Sequence, residues 1–236
     1  MSLLSSLRKR MAQTQPELIS IHLHKTAGTS FMEILKQVYG DQQVSSLHID
    51  HHGNGLWRAV QDDEEVPLEE IVLQRKVIHG HSSVSSLQRF VDLPKGVPII
   101  TWLRDPVERV ESAYNFASQI YKNELSQSHP RLNILNSLKR NVLEYASVAP
   151  NRNWMSRMLD GIELEDLYFV GIVEHFEEDV AYLAEKLGWG NYSIPHINRS
   201  ANRPVLAPHK REAIKAWNKR DVDLYEKALA LRKQRT

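Results

Sequence analysis

The stretch Ile19–Phe31, with the sequence ISIHLHKTAGTSF, joins an alternation of apolar residues to a short polar loop, and a helical pattern follows at once. The first backbone N–H groups of a helix are unpaired and its dipole favours negative charge there, so a strand, a tight loop and a helix start together form an anion site. The loop adds the positive charge of Lys25 and the hydroxyl groups of Thr26, Thr29 and Ser30. We therefore expect this stretch to bind a phosphate-like group.

The composition of the chain is that of an ordinary globular protein. Of its 236 residues, 42% are hydrophobic and 25% are charged, and the formal net charge is +1. This balance predicts one sizeable core and no global attraction to nucleic acid or to an anionic membrane. The absence of cysteine excludes disulfides, thiolate catalysis and cysteine-ligated metal centres.

No pattern in the chain indicates targeting or membrane insertion. Met1–Arg10 lacks the order of charged and apolar residues found in a signal peptide, and no run of about 18 apolar residues is present to span a bilayer. We expect a cytoplasmic protein that forms a single domain over residues 1–236. Residues 1–16 are expected to be a flexible N-terminus, and residues 209–236 are expected to form C-terminal helices.

Strand and helix patterns alternate along the chain. The predicted strands are Glu17–His22, Arg75–His79, Val97–Leu103 and Leu167–Val173. The predicted helices are Thr29–Tyr39, Pro106 to about Tyr121, Ile134–Ala149, Asn153–Leu159 and Glu174–Leu187, and residues 41–70 are predicted to be polar and rich in turns. This alternation predicts an α/β fold with a central, mostly parallel sheet flanked by helices, in which ligands bind beyond the carboxyl ends of the strands.

A second polar cluster follows the apolar run Val97–Leu103. Arg104 stands at the predicted strand end, and Ser112 lies two turns into the following helix. An arginine fork and a hydroxyl group can together hold a second phosphate. The plainer alternatives are a solvated Lys25 in an ordinary strand-to-helix turn and a surface pair between Arg104 and Asp105.

Taken together, the two clusters resemble a known enzyme family. HLHKTAGTSF (residues 22–31) and ITWLRDPVERVESAY (residues 100–114) are similar to motifs of the sulfotransferases that use 3′-phosphoadenosine 5′-phosphosulfate (PAPS). The similarity is greatest to the branch that contains the heparan sulfate 2-O- and 6-O-sulfotransferases and their bacterial relatives, and FVGIVEHFEEDVAYL (residues 169–183) resembles a third family segment. The resemblance implies a P-loop-like nucleotide-binding fold of the sulfotransferase type.

The resemblance also implies roles for individual residues. The 5′-phosphosulfate would be held by Lys25, Thr26, Ala27, Gly28, Thr29 and Ser30, and the 3′-phosphate by Arg104 and Ser112. Lys25 would stabilise the charge that develops on the bridging oxygen of the leaving phosphate, so no metal is expected. Arg157 lies in a segment similar to one near the nucleotide, where it would reach adenine or a phosphate; the alternative is a solvated residue on a plain helix.

The acceptor hydroxyl needs a base, and VIHGHSSV (residues 77–84) resembles the His-Gly-His segment of the 2-O-sulfotransferases. By that match His81 is the expected catalytic base and His79 a supporting residue. The alternative is two histidines held at a tight turn for local hydrogen bonding. His24 stands where the family more often has Pro or Gln, so His24 is a second candidate base or a ligand contact, and a carboxylate base also remains open.

Two weaker clusters complete the candidates. The segment that contains His48, Asp50, His51 and His52 does not have the spacing of a closed metal site, so no metal is expected there. His196–Arg203 is a basic, polar loop that would close over the nucleotide, touch an anionic acceptor, or serve only as a connector.

The sequence thus predicts a sulfotransferase that moves a sulfuryl group from PAPS to an acceptor hydroxyl, with a saccharide as the expected acceptor. One alternative is a kinase or other phosphoryl-transfer enzyme, which would need Mg²⁺ and a carboxylate at a neighbouring strand end. Against it, the P-loop order G-x-x-x-x-G-K-[ST] is not met, because Lys25 precedes Gly28. Another alternative is a non-catalytic nucleotide- or glycan-binding module, which would not need a base.

Overall fold

A computed structural model describes residues 16–51, 57–68, 71, 75–91, 93–125, 141–195 and 205–235, and within these ranges seven strands form one sheet. In chain order they are β1 (Leu18–Ile21), β2 (Val44–His51), β3 (Trp57–Gln61), β4 (Glu64–Val66), β5 (Val77–Gly80), β6 (Ile99–Leu103) and β7 (Phe169–Ile172). Across the sheet the order is β4-β3-β2-β5-β1-β6-β7. The central strand β1 is buried along its whole length, as its apolar sequence requires.

The described helices connect and flank these strands. They are α1 (Gly28–Tyr39), α2 (Val84–Phe90), α3 (Pro106–Leu125), α4 (Val142–Ser147), α5 (Trp154–Met158), α6 (Phe176–Leu187), α7 (Pro208–Trp217) and α8 (Lys219–Arg235). Short 3₁₀ turns lie at Asp41–Gln43, Ala149–Asn151, Leu164–Asp166 and Val173–His175. No helix in the described part of the chain combines the length and the apolar character needed to cross a membrane.

Strands β2, β5, β1, β6 and β7 are parallel to one another, whereas β3 and β4 are antiparallel additions at one side. All five parallel strands therefore end at the same edge of the sheet, which we call the rim. The rim carries the segments that follow Ile21, Gly80, Leu103 and Ile172, and β2 ends at the same edge. The predicted α/β fold with a mostly parallel central sheet is confirmed.

Helices cover both faces of the sheet because the strands alternate their side chains between the two faces. Leu18 packs with apolar residues of α1 and α6 on one face, whereas Ile19 and Ile21 pack with residues of α2, α5 and α8 on the other. A smaller cluster joins α3, α4 and α7. Helix α3 is thereby held beside the rim.

Residues 41–70 depart from the prediction of a polar, turn-rich segment, because the described part forms β2, β3 and β4. Leu47 and Ile49 are buried and alternate with more exposed neighbours, which is the pattern of a half-covered strand. The hairpin between β3 and β4 turns at Asp62 and Asp63, both with positive φ (50° and 68°), as a two-residue type I′ turn requires. An Asp-Asp pair is unusual in that turn, which is why the sequence pattern did not predict the hairpin.

Other observed helix boundaries differ from the predicted ones. The helix predicted from Glu174 begins at Phe176, the C-terminal helical region is interrupted at Asn218, and the helix predicted over Ile134–Ala149 is described only at Val142–Ser147. The predictions for His52, the loop His196–Arg203 and nearly all of the N-terminus 1–16 lie outside the described residues. Pro16, the last residue of that N-terminus, is buried.

The C-terminal helix α8 is part of the fold rather than an appendage. Asp221 accepts hydrogen bonds from the backbone N–H groups of Met155 (3.2 Å) and Ser156 (2.8 Å) and so caps α5. In return the side-chain oxygen of Asn153 accepts from the N–H groups of Arg220 and Asp221 at the start of α8. The two helix starts cap each other, and Asp221 is left fully buried beside the rim.

Candidate active site at the rim of the sheet

The loop after β1 is held in a conformation that L-amino acids seldom adopt. Lys25 and Ala27 have φ values of 70° and 62°, in the left-handed region, which costs about 1 kcal/mol or more per non-glycine residue. Thr26 fixes the turn between them, because its backbone N–H and its hydroxyl both donate to the carbonyl of Leu23 (3.3 and 2.8 Å). The hydroxyl hydrogen of Thr26 is therefore used to shape the loop.

Ala27 is the N-cap of α1, and its side chain makes no capping hydrogen bond. The first turn of α1 also contains no acidic residue. The N–H groups at Gly28, Thr29 and Ser30 therefore open onto the rim together with the positive end of the helix dipole. Such a helix start favours a bound anion, and the anion itself stays a prediction from the sequence.

Gly28 is required by a close approach. A Cβ atom at this position would lie 1.7 Å from Nε2 of His22, whose ring covers the start of α1. Any larger residue would displace either the helix start or the imidazole. Gly28 therefore lets the start of α1 pack against His22, whose ring stacks with those of His79 and His81.

Arg104 reaches the anion loop from the neighbouring strand β6. Its Nη1 donates to the carbonyl of Lys25 at 3.3 Å. Asp105 then caps α3, since its Oδ1 accepts from the N–H groups of Val107 and Glu108 (2.9 and 3.0 Å). The structure thus brings together the two motifs that the sequence singled out, 79 residues apart.

One face of α3 lies toward the Lys25 loop. Phe116 places its ring centroid 4.0 Å from Nζ of Lys25, and the ring centroids of Phe116 and His24 lie 5.8 Å apart. Ser112 lies one helical turn before Phe116, and Arg109 lies two turns before it, so the three residues share this face. Ser112 is buried, as is Arg109 with 3% of its surface exposed.

Arg109 adds positive charge to the rim. Its Nε lies 4.0 Å from Oδ2 of Asp221, and its Nη2 donates to the carbonyl of Asn151 at 3.3 Å. Burial lowers the pKa of Arg109 and Asp221 opposes that change, while the nearby positive charges of Arg157 and Arg104 lower the pKa further. The three arginines therefore lie within electrostatic range of one another.

Arg157 is exposed at the outer side of this group. Its Nη2 donates to the carbonyl of Pro150 at 2.7 Å, and its guanidinium lies over the ring of Trp154, 5.2 Å from the centroid. These contacts hold the side chain against the surface near Arg109. Arg157 thus lies at the margin of this group of arginines, and its contact to a nucleotide stays a prediction.

His81 is held in one tautomer. Its Nδ1 lies 2.6 Å from the carbonyl oxygen of His22, and because a carbonyl can only accept, Nδ1 must carry the hydrogen. In the neutral ring, Nε2 then presents a lone pair. His48 supports the turn from β2, where its Nδ1 accepts from the backbone N–H of His81 at 3.3 Å.

The other histidines lie around His81. The ring of His22 lies between those of His81 and His79, with centroid separations of 4.0 and 4.9 Å. His79 is buried, and its Nδ1 is 2.9 Å from the hydroxyl oxygen of Ser20. His24 approaches His81 from the loop side at 5.9 Å. His79 thus contacts His22 and Ser20 below the surface of the rim, and its supporting role stays a prediction.

The histidine cluster is neutral at physiological pH. Burial is the main cause that lowers the pKa of every member, and repulsion from neighbouring imidazoles adds to it for His22, His24, His79 and His81. The pKa falls to about 4 for His24 and to about 3 for His79. For His48 and His81 the pKa is also lowered. Neutral imidazoles can accept protons, so the cluster keeps His81 in its basic form.

Gly80 explains the His-Gly-His pattern. A Cβ atom on Gly80 would lie 1.9 Å from the backbone oxygen of Leu47, because β2 passes directly against this position. The glycine lets β5 end next to β2, and Ser82 then fastens the two, accepting from the N–H of Ile49 and donating to the carbonyl of Leu47. The close approach places His48 against His81.

Two carboxylates near the rim are engaged in structural contacts. Besides capping α3, Asp105 has its own backbone N–H bonded to Oε1 of Glu174 at 3.0 Å. The other oxygen of Glu174 accepts from the hydroxyl of Tyr225 at 2.9 Å. Within the described ranges, no group of three or more His, Asp or Glu residues has a metal-binding arrangement.

The structure also adds residues that the sequence analysis did not assign to the site: His22, His48, Arg109 and Phe116. Phe116 and Arg109 carried a usable signal, since both lie on the helical face of Ser112. His22 carried a weaker one, because the alternation of β1 continues through Leu23 and directs His22 to the opposite face. His48 is found only from the parallel pairing of β2 with β5.

Comparison with known proteins yields a single type of match. No family model matches the chain, and no curated protein matches it either. Among solved structures, the chain is similar to the sulfotransferase from Alicyclobacillus acidocaldarius, with 18% sequence identity and a TM-score of 0.49. The alignment covers 91% of this chain and 96% of that chain.

Proposed function

We propose that this protein is a sulfotransferase that moves a sulfuryl group from PAPS to the hydroxyl of an acceptor. The observation that carries the proposal is the hydrogen bond from Nη1 of Arg104 to the carbonyl of Lys25, which unites two anion-binding elements at adjacent strand ends. A nucleotide with phosphates on both its 5′ and 3′ sides needs two such elements. The sequence resemblance of both motifs to PAPS-dependent sulfotransferases supports the same donor.

The residues present fit the donor. The uncapped start of α1 and the ammonium of Lys25 suit the 5′-phosphosulfate, and Thr29 and Ser30 add hydroxyl donors there. Arg104 and Ser112 suit the 3′-phosphate, with the buried charge of Arg109 behind them. Arg157 would lie toward the outer part of the nucleotide. Thr26 contributes by shaping the loop, because its hydroxyl hydrogen is already donated to Leu23.

His81 and Lys25 supply the chemistry in this proposal. Nε2 of His81 accepts the proton of the acceptor hydroxyl, whose oxygen forms a bond to sulfur. The bond between sulfur and the bridging phosphate oxygen breaks, and its electron pair stays on that oxygen. The ammonium of Lys25 stabilises this charge as it develops. His24 is the second candidate for the base, because it lies between Phe116 and His81.

The acceptor that we propose is a carbohydrate hydroxyl, by resemblance to the heparan sulfate 2-O- and 6-O-sulfotransferase branch. A single domain over residues 1–236 and a location in the cytoplasm also remain predictions from the sequence.

Specific contacts disfavour the two alternative functions. A kinase needs a carboxylate that is available for Mg²⁺, but Asp105 and Glu174 at the β6 and β7 ends are engaged with backbone N–H groups and Tyr225. A non-catalytic binding module has no use for a base, yet His81 is fixed in the tautomer that presents Nε2. Both observations favour transfer to a hydroxyl without a metal.

Calorimetric titration with 3′-phosphoadenosine 5′-phosphate (PAP) tests the proposal, beside 5′-AMP and ATP with Mg²⁺. We expect PAP to bind much more tightly than 5′-AMP, because only PAP uses Arg104. Tight binding of ATP with Mg²⁺ and indifference to the 3′-phosphate would overturn the sulfotransferase assignment. For the variant Arg104→Ala the matched control is Arg58→Ala, since Arg58 forms an exposed ion pair with Glu65 on the outer strands.

A further inference from the structure

Phe116 occupies an unusual place for a large apolar residue. It is 43% exposed, and its ring face lies 4.0 Å from the ammonium of Lys25. An ammonium at this distance from an aromatic face is attracted to the negative potential of the ring. This exposed aromatic ring thus contacts the side chain that the proposed mechanism needs most.

The ring itself is oriented from the other side. The ring centroids of His24 and Phe116 lie 5.8 Å apart with an angle of 67° between the ring planes, which is an edge-to-face contact. The neutral imidazole of His24 does not repel the ammonium, since burial lowers its pKa to about 4. Phe116 therefore contacts Lys25 and His24 at the same time.

The loop geometry explains why such support is useful. The backbone of Lys25 has a strained φ of 70°, and its side chain has four rotatable bonds. A lysine that must find an anion from many rotamers loses conformational entropy on binding, and a lysine already held at the site loses less. An exposed phenylalanine on the facing helix can supply that hold without adding a competing negative charge.

From this arrangement we infer that Phe116 is a positioning residue, which holds the ammonium of Lys25 at the mouth of the anion loop both before and while the ammonium contacts the donor's phosphosulfate. The inference deepens the proposed function and rests on it for the identity of the anion. The contact between Lys25 and Phe116 is a property of the protein alone, so it can be tested without donor or acceptor.

The test measures how fast an amine-directed acylating reagent labels Lys25, read by peptide mass spectrometry with the labelling of Lys36 as internal reference. Lys36 forms a surface ion pair with Asp41. We expect Phe116→Leu to accelerate the labelling of Lys25 by about two- to fivefold, the factor that an exposed cation–π contact is worth. Phe116→Tyr, which keeps an aromatic face, should restore the rate of the wild-type protein.

The chain provides a matched control pair. Tyr168 is 38% exposed and carries the ammonium of Lys186 4.4 Å from its ring centroid, away from the rim. Tyr168→Leu should change the labelling of Lys186, which keeps a second aromatic neighbour in Tyr182 at 5.7 Å, and should leave Lys25 unchanged. Equal acceleration at Lys25 in Tyr168→Leu, or at Lys36 in Phe116→Leu, would show general loosening and overturn the inference. An unchanged Lys25 rate in Phe116→Leu would overturn it as well.

Binding of PAP separates this inference from the proposed function. Saturating PAP should protect Lys25 in both the wild-type protein and Phe116→Leu, and Phe116→Leu should weaken PAP binding by about two- to fivefold while Phe116→Tyr does not. Failure of PAP to bind the wild-type protein would overturn the sulfotransferase proposal and leave the labelling result intact. Unchanged PAP affinity in Phe116→Leu would remove the positioning role.

Discussion

The two halves of the rim differ in how they handle charge, although they belong to one sheet edge. The cationic half consists of Lys25, Arg104, Arg109 and Arg157, and the imidazole half consists of His22, His48, His79 and His81. In the cationic half, Asp221 is the one acidic group that the structure places within ion-pair distance of Arg109 among the described residues. In the imidazole half, burial lowers every pKa.

This difference follows from what each half is expected to do. An anion site gains from fixed positive charge, whereas a general base must stay neutral until the proton arrives. The sheet separates the two tasks by strand, since the cations follow β1 and β6 and the basic histidine follows β5. The loop after β1 connects them through Gly28 and His22.

The largest effect is expected in the imidazole half. Replacing His81 with Ala should lower the single-turnover rate of sulfuryl transfer by about 10²- to 10⁴-fold, because the acceptor proton then has no positioned base. The affinity for PAP should not change. The rates are measured by rapid quench with PAPS and a hydroxyl acceptor that supports turnover.

His175→Ala is the control for this variant, since His175 is half-buried, pairs with Glu178 and is not among the four residues of the imidazole half. The pH profile gives a second readout. Because the pKa of His81 is below its ordinary value of about 6.5, the rate should stay level down to that pH and fall only under it. Full transfer activity in His81→Ala would move the role of base to His24 or to a carboxylate.

The next effect belongs to the cationic half. Lys25→Ala should lower the transfer rate by about 10²- to 10³-fold, the cost of removing one donor from a developing oxyanion. PAP affinity should fall far less, because the N–H groups at the start of α1 and Arg104 remain. Single-turnover rates and PAP titrations on the same samples give the comparison, with Lys36→Ala as control. An equal loss in rate and affinity would mean that Lys25 only binds the donor.

Arg104→Ala should act on binding more than on rate. Loss of a hydrogen-bonded charge should weaken PAP binding by about 1.5–3 kcal/mol, or roughly 10- to 150-fold. Binding of 5′-AMP should be almost unaffected, since it has no 3′-phosphate. If both nucleotides lost affinity equally, the hydrogen bond from Arg104 to the carbonyl of Lys25 would be holding the loop and not a phosphate.

The two halves also differed in how far they were predictable. Lys25, Gly28, Arg104 and Ser112 stand in local strand–loop–helix patterns, so spacing alone indicated an anion site. Their contacts to one another required the sheet order, in which β6 lies next to β1. The general fold was predictable for the same reason, because buried parallel strands are long apolar runs.

The imidazole half was predicted less completely. His79 and His81 were found from one short motif, but His48 meets His81 only because β2 pairs in parallel with β5. That pairing was hidden, since the segment alternates apolar residues with Ser and His and turns at Asp62 and Asp63. Tertiary packing, and not local pattern, built this side of the site.

The smallest expected effect is on the pH dependence of the unfolding free energy, and it comes from His79 in the imidazole half. His79 has a pKa of about 3 in the folded protein against about 6.5 when unfolded, so the unfolded chain binds more protons below pH 6.5. The contribution of His79 to stability is therefore complete above about pH 6.5 and is lost as the pH falls toward 3. His79→Gln should reduce the pH dependence of the unfolding free energy by at most about 1.4 kcal/mol per pH unit between pH 6 and 5, whatever its own stability.

Ser20→Ala is the control, since it removes the hydroxyl beside Nδ1 of His79 but no titrating group, and it should keep the wild-type slope. Urea titrations at pH 6.0, 5.5 and 5.0 measure both slopes. A slope in His79→Gln equal to that of Ser20→Ala would show that His79 is charged in the folded protein, which the neutral imidazole half does not allow.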